Sequence, residues 1–401
     1  MQKKCDVLII GAGVVGLSVG IALLEARPNL KVIILEKENE IAYHASGRNS
    51  GVIHAGFYYS PDSLKAKFCR EGNFELRNLA KKHNVPVKSV GKVVVSRNLE
   101  EDHRLDKLFD RGLANGVELE IHPREKLNRF EPLAVTYDRF IWSPSTAISD
   151  PRAIAQAMLA EYISLNGSVD FNSKIKLTNE FDEIHDAENK YQFRYLINAG
   201  GAQADNISRS VGVGFEYAML PFMGVYRATS HRNLPLNCLV YPVPHPINPF
   251  LGVHFTLTIG GQVKIGPTAI PILGREQYSL VEGWSLSDIK QLFIAVNSLI
   301  RGEPHKLGDL IKTEWPKLIQ RKLLEETATL VPKAIEVEHW ERKPPGIRAQ
   351  LVHLKSGELV QDFIVKSELN ATHVLNSVSP GWTSALPFGK WIAQGVLSEL
   401  N

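Results

Sequence analysis

Residues 5–10, CDVLII, and 31–35, KVIIL, are two short runs dominated by β-branched and aliphatic side chains. Runs of this kind mark strands buried on both faces, as in a parallel sheet. Between them lie Gly11-Ala12-Gly13-Val14-Val15-Gly16 and then LSVGIALLEA. The expected order is strand, glycine turn, helix, strand, which is one βαβ unit. Further on, 87–96, VKSVGKVVVS, reads as two short strands around Ser89-Val90-Gly91. LEEDHRLDKLFDRGLANG reads as an amphipathic helix ending at Gly116. Asp150 caps a helix with Pro151 in its first turn, and RAIAQAMLAEYISLNG closes it at Gly167. VDFNSKIKL is strand-like, and 195–199 is a further strand followed by a turn at Gly200-Gly201. From 216 to about 345, alternating patterns such as QVKIG predict an antiparallel sheet, with helices around 285–301 and 307–329 at its edge. The chain closes on a turn, SPGWTS, and a helix, ALPFGKWIAQGVLSEL.

The glycine turn carries the first chemistry. Gly11 allows a tight turn, Gly13 lets backbone approach a pyrophosphate, and Gly16 lets the helix pack close to the strand. The helix N-terminus offers unpaired N–H groups to phosphate. Glu36 ends the second strand about 20 residues after Gly16, where the dinucleotide fingerprint places an acid for a ribose. A turn used only for packing leaves Glu36 without a role. The fingerprint does not separate NAD from FAD. The segment 44–59, HASGRNSGVIHAGFYY, follows. It is polar, glycine-rich and without a period, and it reads as a loop lying against a ligand.

Composition narrows the classes. A chain of 401 residues suggests two domains, or one with a second inserted. The 44% hydrophobic and 22% charged content fits a globular protein, and a net charge of +3 does not argue for nucleic acid. A slightly basic surface suits peripheral contact with an acidic membrane face. Cys5, Cys69 and Cys238 form neither a disulfide framework nor a zinc site. No His-Glu-x-x-His, close cysteine pair or Asp-rich loop points to a metal. No Gly-x-Ser-x-Gly elbow appears in a strand–turn–helix context. With no apolar run of about 18 residues and no signal-peptide pattern at Met1, the expected setting is cytoplasmic, with membrane contact at most peripheral.

The stretch from Glu36 to Tyr59 resembles FAD-dependent oxidoreductases of the D-amino-acid oxidase and glycerol-3-phosphate dehydrogenase superfamily. Four blocks are most similar to its L-2-hydroxyglutarate dehydrogenase/oxidase family. They are SGRNSGVIHAGFYYSPDSLKAKFC (46–69), LVYPVPHPINPFLGVHFT (239–256) continuing to GQVKIGPTAIP (261–271), GIRAQLV (346–352) and NSVSPGWTSALPFG (376–389). The chain departs from such relatives at Met223 and Val225, where they often read Pro-Phe-Arg-Gly-Glu-Tyr, and at Gly381-Trp382, where they often have two small residues. These departures bear on the acid accepted more than on the cofactor.

The resemblance implies an α/β plus α+β fold. A discontinuous Rossmann-like FAD-binding domain would take 1–83, 145–215 and 346–401, and an antiparallel-sheet substrate domain 84–144 and 216–345. It implies FAD as cofactor, contacted by Gly11, Gly13, Gly16, Glu36, Lys37, Ser46, Gly47, Arg48, Asn49, Ser50, Ile175, Gly200, Gly201, Gly381, Thr383 and Ser384. Thr383 and Ser384 would act through backbone N–H groups, at a helix N-terminus facing the flavin's pyrimidine edge. His44 is a phosphate-side or structural loop residue. His54 becomes the base that takes the substrate's hydroxyl proton as hydride passes to flavin N5. Without the resemblance, a lone histidine in such a loop reads more readily as structural. Arg348 sits where the superfamily places a carboxylate-binding arginine, against the ordinary alternative of a surface ion pair. Tyr58, Tyr241 and His254 are candidates for a second carboxylate, and each also suits core packing. The expected reaction is oxidation of L-2-hydroxyglutarate or a similar 2-hydroxy acid. A glycerol-3-phosphate or amino-acid/secondary-amine oxidase and a non-catalytic flavin-binding protein are the alternatives. Oxygen, a quinone or a partner flavoprotein stay open as electron acceptor.

Overall fold

Val7–Ile10 lies inside a six-stranded sheet in the computed structural model, which describes residues 1–175, 183–245, 251–279 and 282–400. The end of VDFNSKIKL and the stretch 246–250 of the second family block lie outside the described residues. The sheet order is Ser168–Asp170, Val32–Leu35, Val7–Ile10, Tyr195–Asn198, Ala371–Asn376 and Ile364–Glu368. The first five run parallel and the last is antiparallel. Both faces are covered, which is why the strands read as unbroken apolar runs. On one face, Val7, Ile9, Val32 and Ile34 pack with the helices Val14–Ala26, Pro151–Ser164 and Ala385–Glu399. On the other, Leu8, Ile10, Ile33 and Leu35 pack against Ile184 and Tyr191 of a small sheet formed by Gln2–Lys4, Lys190–Gln192 and Glu183–His185. The first and last of the three helices meet at backbone distance, since a Cβ on Gly389 would lie 2.5 Å from that of Ser18.

Strand order reverses between Val7–Ile10 and Tyr195–Asn198, which lie in register from Val7 opposite Tyr195 to Ile10 opposite Asn198. A parallel sheet opens a crevice at the carboxyl ends of the strands where its order reverses. Gly11 and Ala199, the residues after the two strands, sit at that point.

The second large sheet is built from distant parts of the chain. Its path is Glu358–Leu359, Glu341–His353, Tyr217–Ser230, Gln262–Gly266, His254–Leu257, Leu239–Pro242, Lys92–Val95, Arg139–Ser143 and Glu120–Pro123. Leu239–Pro242 and Lys92–Val95 pair in parallel. A third sheet joins Val52–Ile53 to Ala147–Ser149 and Val87–Lys88, and so ties the 44–59 loop to its surroundings.

The helices follow their local signals. Asn98 caps Leu99–Ala114 by accepting from the Glu101 N–H, and Asp150 caps Pro151–Ser164 by accepting from Arg152 and Ala153. The helical reading of 307–329 is divided into Lys306–Glu314, a 3-10 turn Trp315–Leu318 and Gln320–Ala328. Pro316 lacks the N–H that a continuous helix needs there. Among the described residues, no helix is long and apolar enough to cross a membrane.

Candidate active site

The crevice is walled by backbone. Gly11 has φ +101°, and a Cβ on it would lie 2.6 Å from the Ala199 carbonyl oxygen. A Cβ on Gly16 would lie 2.0 Å from the Gly11 carbonyl oxygen, so helix and turn touch only because that residue is glycine. A Cβ on Gly13 would approach the Ser46 hydroxyl to 2.9 Å, and the Val14 N–H donates to the same hydroxyl at 3.1 Å. Glu36 is buried and accepts from the Ala12 N–H at 2.8 Å and the Glu38 N–H at 3.0 Å. The carboxylate is thereby fixed at the end of its strand, facing the crevice.

Beyond Glu36, a charged cluster crosses from the first sheet to the segment after the second. Lys37 Nζ donates to Glu38, and to Glu276 at 2.9 Å, and lies 2.9 Å from His44 Nε2. The Tyr278 hydroxyl is 2.7 Å from His44 Nδ1. Glu38, His44 and Glu276 stand close enough to hold an ion, but the Lys37 ammonium already contacts all three. The loop that follows spends its polar side chains on itself. Asn49 Nδ2 donates to the Ser46 carbonyl at 2.8 Å, while its Oδ1 accepts from the Gly51 N–H at 2.9 Å. Ser50 Oγ accepts from the Val52 N–H at 3.4 Å. Arg48 donates to the Tyr43 carbonyl at 2.8 Å, and its guanidinium lies 4.2 Å from the Tyr278 ring centre. A Cβ on Gly47 would lie 2.3 Å from the Ala42 carbonyl oxygen, so this glycine serves loop packing.

The backbone of His54 is pinned on both sides. Its N–H donates to Thr383 Oγ1 at 3.2 Å, and its carbonyl accepts from Asn73 Nδ2 at 2.9 Å. Thr383 also donates to the Val52 carbonyl at 3.3 Å, so its hydroxyl couples the loop to the turn before the last helix. The second half of the loop is held by the helix Leu99–Ala114 and its cap: Arg111 donates to the Tyr58 carbonyl at 3.0 Å, and Asn115 to the Gly56 and Tyr59 carbonyls, each at 3.0 Å. His54 is only 8% exposed, and its Nδ1 has no hydrogen-bond partner among the described residues. Burial, with help from the Lys92 ammonium, holds its pKa well below 6.5. His54 is therefore a neutral imidazole at physiological pH.

His254 and Tyr241 stack with ring centres 3.8 Å apart, and His254 Nδ1 is 2.7 Å from the Gly252 carbonyl. Burial pushes the His254 pKa down to about 3. Arg348 stands opposite Phe222 in the sheet and donates from Nη1 to the Thr268 carbonyl at 3.0 Å. Its pKa is lowered by burial and supported by Tyr226, Glu314 and Tyr241, and the guanidinium stays charged.

One cavity of about 1710 Å³ connects these parts. It runs from Gly11, Gly13, Glu36 and Lys37 past Ser46, Arg48, Asn49, Ser50 and Ile175. It continues along Gly200, Gly201, Gly381 and Thr383 to His54, Tyr58, Tyr241, His254 and Arg348. Gly16, Gly47 and Ser384 are not on its wall. Gly16 and Gly47 support it from behind, and Ser384 is buried. Tyr226 and Trp382 also line it, and Arg104, Lys107 and Arg111 reach it from one helix. Sequence reasoning passed over Lys92, which lies behind Tyr58 and Tyr241. Its signal was a lysine opening the otherwise all-valine strand KVVV. Met223, where relatives often carry arginine, is buried against Ile272 and Ile347.

The residues fit FAD. A glycine turn that admits no Cβ faces the crevice at one end, and a neutral imidazole, its Nδ1 without a partner among the described residues, stands at the other.

A family model described as FAD dependent oxidoreductase matches residues 6–395. The chain is 35% identical to the L-2-hydroxyglutarate dehydrogenase of Indibacter alkaliphilus, covering 98% of this chain and 99% of that one. It is 32% identical to the protein of that name from Escherichia coli, covering 98% and 94%. Among solved structures, L-alpha-glycerophosphate oxidase from Mycoplasma pneumoniae with FAD bound superposes with a TM-score of 0.76 at 20% identity, covering 99% of this chain and 95% of that one. Glycine oxidase from Geobacillus kaustophilus does so with a TM-score of 0.72 at 16% identity, covering 98% and 95%. The fold is thus the one these flavoenzymes share, and the chain belongs to the FAD-dependent oxidoreductase family and, within it, to the L-2-hydroxyglutarate dehydrogenases.

Proposed function

We propose that this protein oxidises L-2-hydroxyglutarate to 2-oxoglutarate, with His54 as the base and Arg348 as the clamp on the carboxylate beside the carbinol. The single observation that carries the reading is His54: a buried, neutral imidazole with its backbone pinned on both sides and Nδ1 unpartnered among the described residues, in the same cavity as Arg348. FAD, when bound, supplies the hydride acceptor. Gly11, Gly13 and the N-terminus of Val14–Ala26 would hold its phosphates, Glu36 its ribose, and the turn at Gly381 and Thr383 its ring. The guanidinium of Arg348 orients the substrate. A ring nitrogen of His54 takes the hydroxyl proton as the carbon–hydrogen bond gives up its electron pair. Tyr58, Tyr241 and Tyr226 enclose that end and keep it dry.

Anaerobic addition of L-2-hydroxyglutarate is expected to bleach the flavin absorbance. Bleaching by glycerol 3-phosphate or an amino acid, and none by L-2-hydroxyglutarate, would overturn the substrate. Bleaching by nothing in such a panel would leave a flavin-binding protein without turnover.

We further propose a cytoplasmic setting with peripheral contact to an acidic membrane face, on the support of a specific surface. Leu286, Phe293 and Ile300 recur every seven residues along Leu286–Gly302 and are exposed, as is Trp284 just before the helix. Lys290 and Arg301 are exposed on the same helix. Apolar side chains flanked by lysine and arginine suit the interface of an anionic bilayer. The protein is expected to sediment with phosphatidylglycerol vesicles and not with phosphatidylcholine vesicles, and Phe293→Asp should lower the bound fraction several-fold. Equal binding to both vesicle types would remove this reading.

A further inference from the structure

Lys92 opens the strand Lys92–Val95, opposite Ser143 on one side and Leu239 on the other. It is fully buried, and its ammonium has no hydrogen-bond partner among the described residues. The residues after it, Val93, Val94 and Val95, are what such a position normally holds. A lysine head group without an acceptor is costly to bury, so packing alone does not account for it. The ammonium lies 4.1 Å from the Tyr241 ring centre, 4.9 Å from that of Tyr58 and 5.3 Å from that of Phe57. Ring faces return part of the lost hydration but supply no counter-charge. Burial lowers the Lys92 pKa to about 7, with only the Cys69 thiol acting to raise it.

The groups above Lys92 are short of partners too. Among the described residues, the Tyr58 hydroxyl and Nδ1 of His54 are buried without a hydrogen-bond partner and the Tyr241 hydroxyl has at most Thr256 beside it, and all three residues line the cavity. Lys92 and Arg348 both act on His254, the ring stacked on Tyr241, so two cations serve one end of the cavity. A 2-hydroxy dicarboxylate brings two negative charges, one beside its carbinol and one at its far end. Arg348 suits the first.

We propose that Lys92 is a positioning residue that sets specificity for a dianionic hydroxy acid, by charging the floor on which the hydroxyls of Tyr58 and Tyr241 hold the distal carboxylate. A cation against the face of a phenol stabilises negative charge at its oxygen and strengthens its O–H as a donor. The anion in turn supplies the counter-charge that the protein withholds from Lys92. The inference rests on the 2-hydroxy dicarboxylate reading above.

The test uses flavin-loaded Lys92→Gln and Lys92→Arg enzymes with L-2-hydroxyglutarate and with L-2-hydroxypentanoate, which ends in methyl. Lys92→Gln should raise KM for L-2-hydroxyglutarate about 10- to 100-fold, the range expected for a unit charge removed from a partly screened site. It should leave kcat for that substrate, and KM for L-2-hydroxypentanoate, within about threefold of wild type. Lys92→Arg should restore most of the loss. Equal changes for both substrates, a loss confined to kcat, or no advantage of arginine over glutamine would overturn the proposal. Wild-type enzyme gives a readout independent of the variants' folding, because glutarate should inhibit at least about tenfold more tightly than pentanoate. Equal inhibition defeats the proposal. Failure of L-2-hydroxyglutarate to bleach the wild-type flavin would instead defeat the substrate reading, and the glutarate–pentanoate comparison still judges the preference for a dianion.

Discussion

His54→Gln is expected to lower kcat by about 10²- to 10⁴-fold, the ordinary contribution of a positioned base. FAD content and KM for L-2-hydroxyglutarate should stay within about threefold of wild type. The reason lies in how the residue is held. Thr383 and Asn73 fix its backbone from two different elements, so a change at the ring does not release the loop. Glutamine fills similar space but does not accept a proton near neutral pH. The pH profile adds a second constraint. Burial holds the folded-state pKa of His54 well below 6.5, so the free-base fraction is already complete at 6.5. The plot of kcat/KM against pH should therefore stay level on descending through 6.5 and fall only at lower pH. An acid limb at the ordinary histidine value would show that another group is titrating and would remove His54 from the role. Stability follows the same sign. His254 and His373, with pKa values pushed down to about 3 and about 4 by burial, also stay neutral when folded. Below 6.5 the unfolded chain binds protons that the folded chain refuses, so stability should fall as pH drops from there toward about 4. Melting temperatures across that window measure this directly.

The parts of the site that local pattern governs were legible. Two buried strands bracketing a glycine turn, with an acid after the second, dictate the glycine-walled end of the crevice, because each requirement is met within one βαβ unit. The other end, proposed to take the substrate, depends on pairings that no short window contains. Arg48 stacks on Tyr278, Thr383 binds the backbone of His54, and Lys92 meets Tyr241 only because Leu239–Pro242 pairs in parallel with Lys92–Val95. In the 44–59 loop, Ser46, Arg48, Asn49 and Ser50 all line the cavity, and some of their polar groups also hold the loop together. Asn49 and Ser50 satisfy the loop's own N–H groups, which holds it in a shape that brings it to the cavity wall. A polar side chain in a glycine-rich loop is ambiguous from sequence for this reason: the loop must satisfy its own backbone before it can meet anything else.

Arg348→Met should lower kcat/KM by about 10²- to 10³-fold, the scale for truncating one partner of a buried charge pair. Arg348→Lys should recover only part of this, because an ammonium keeps the charge but not the planar fork that meets both carboxylate oxygens. Donation from Nη1 to the Thr268 carbonyl at 3.0 Å sets the plane of the guanidinium, and lysine cannot reproduce that plane. Part of the loss belongs in kcat, since a carboxylate held by one point no longer fixes the direction of the carbinol hydrogen. Substrate dependence separates this residue from Lys92. L-2-Hydroxyglutarate and L-2-hydroxypentanoate carry the same carboxylate beside the carbinol, so Arg348→Met should impair both by the same factor, whereas loss of the Lys92 charge should impair only the dicarboxylate. Steady-state kinetics of the two variants on the two substrates, with flavin content checked for each, make a four-cell comparison. A loss at Arg348 confined to the dicarboxylate would place the distal carboxylate, and not the proximal one, against the arginine, and would reverse the orientation of the substrate in the cavity.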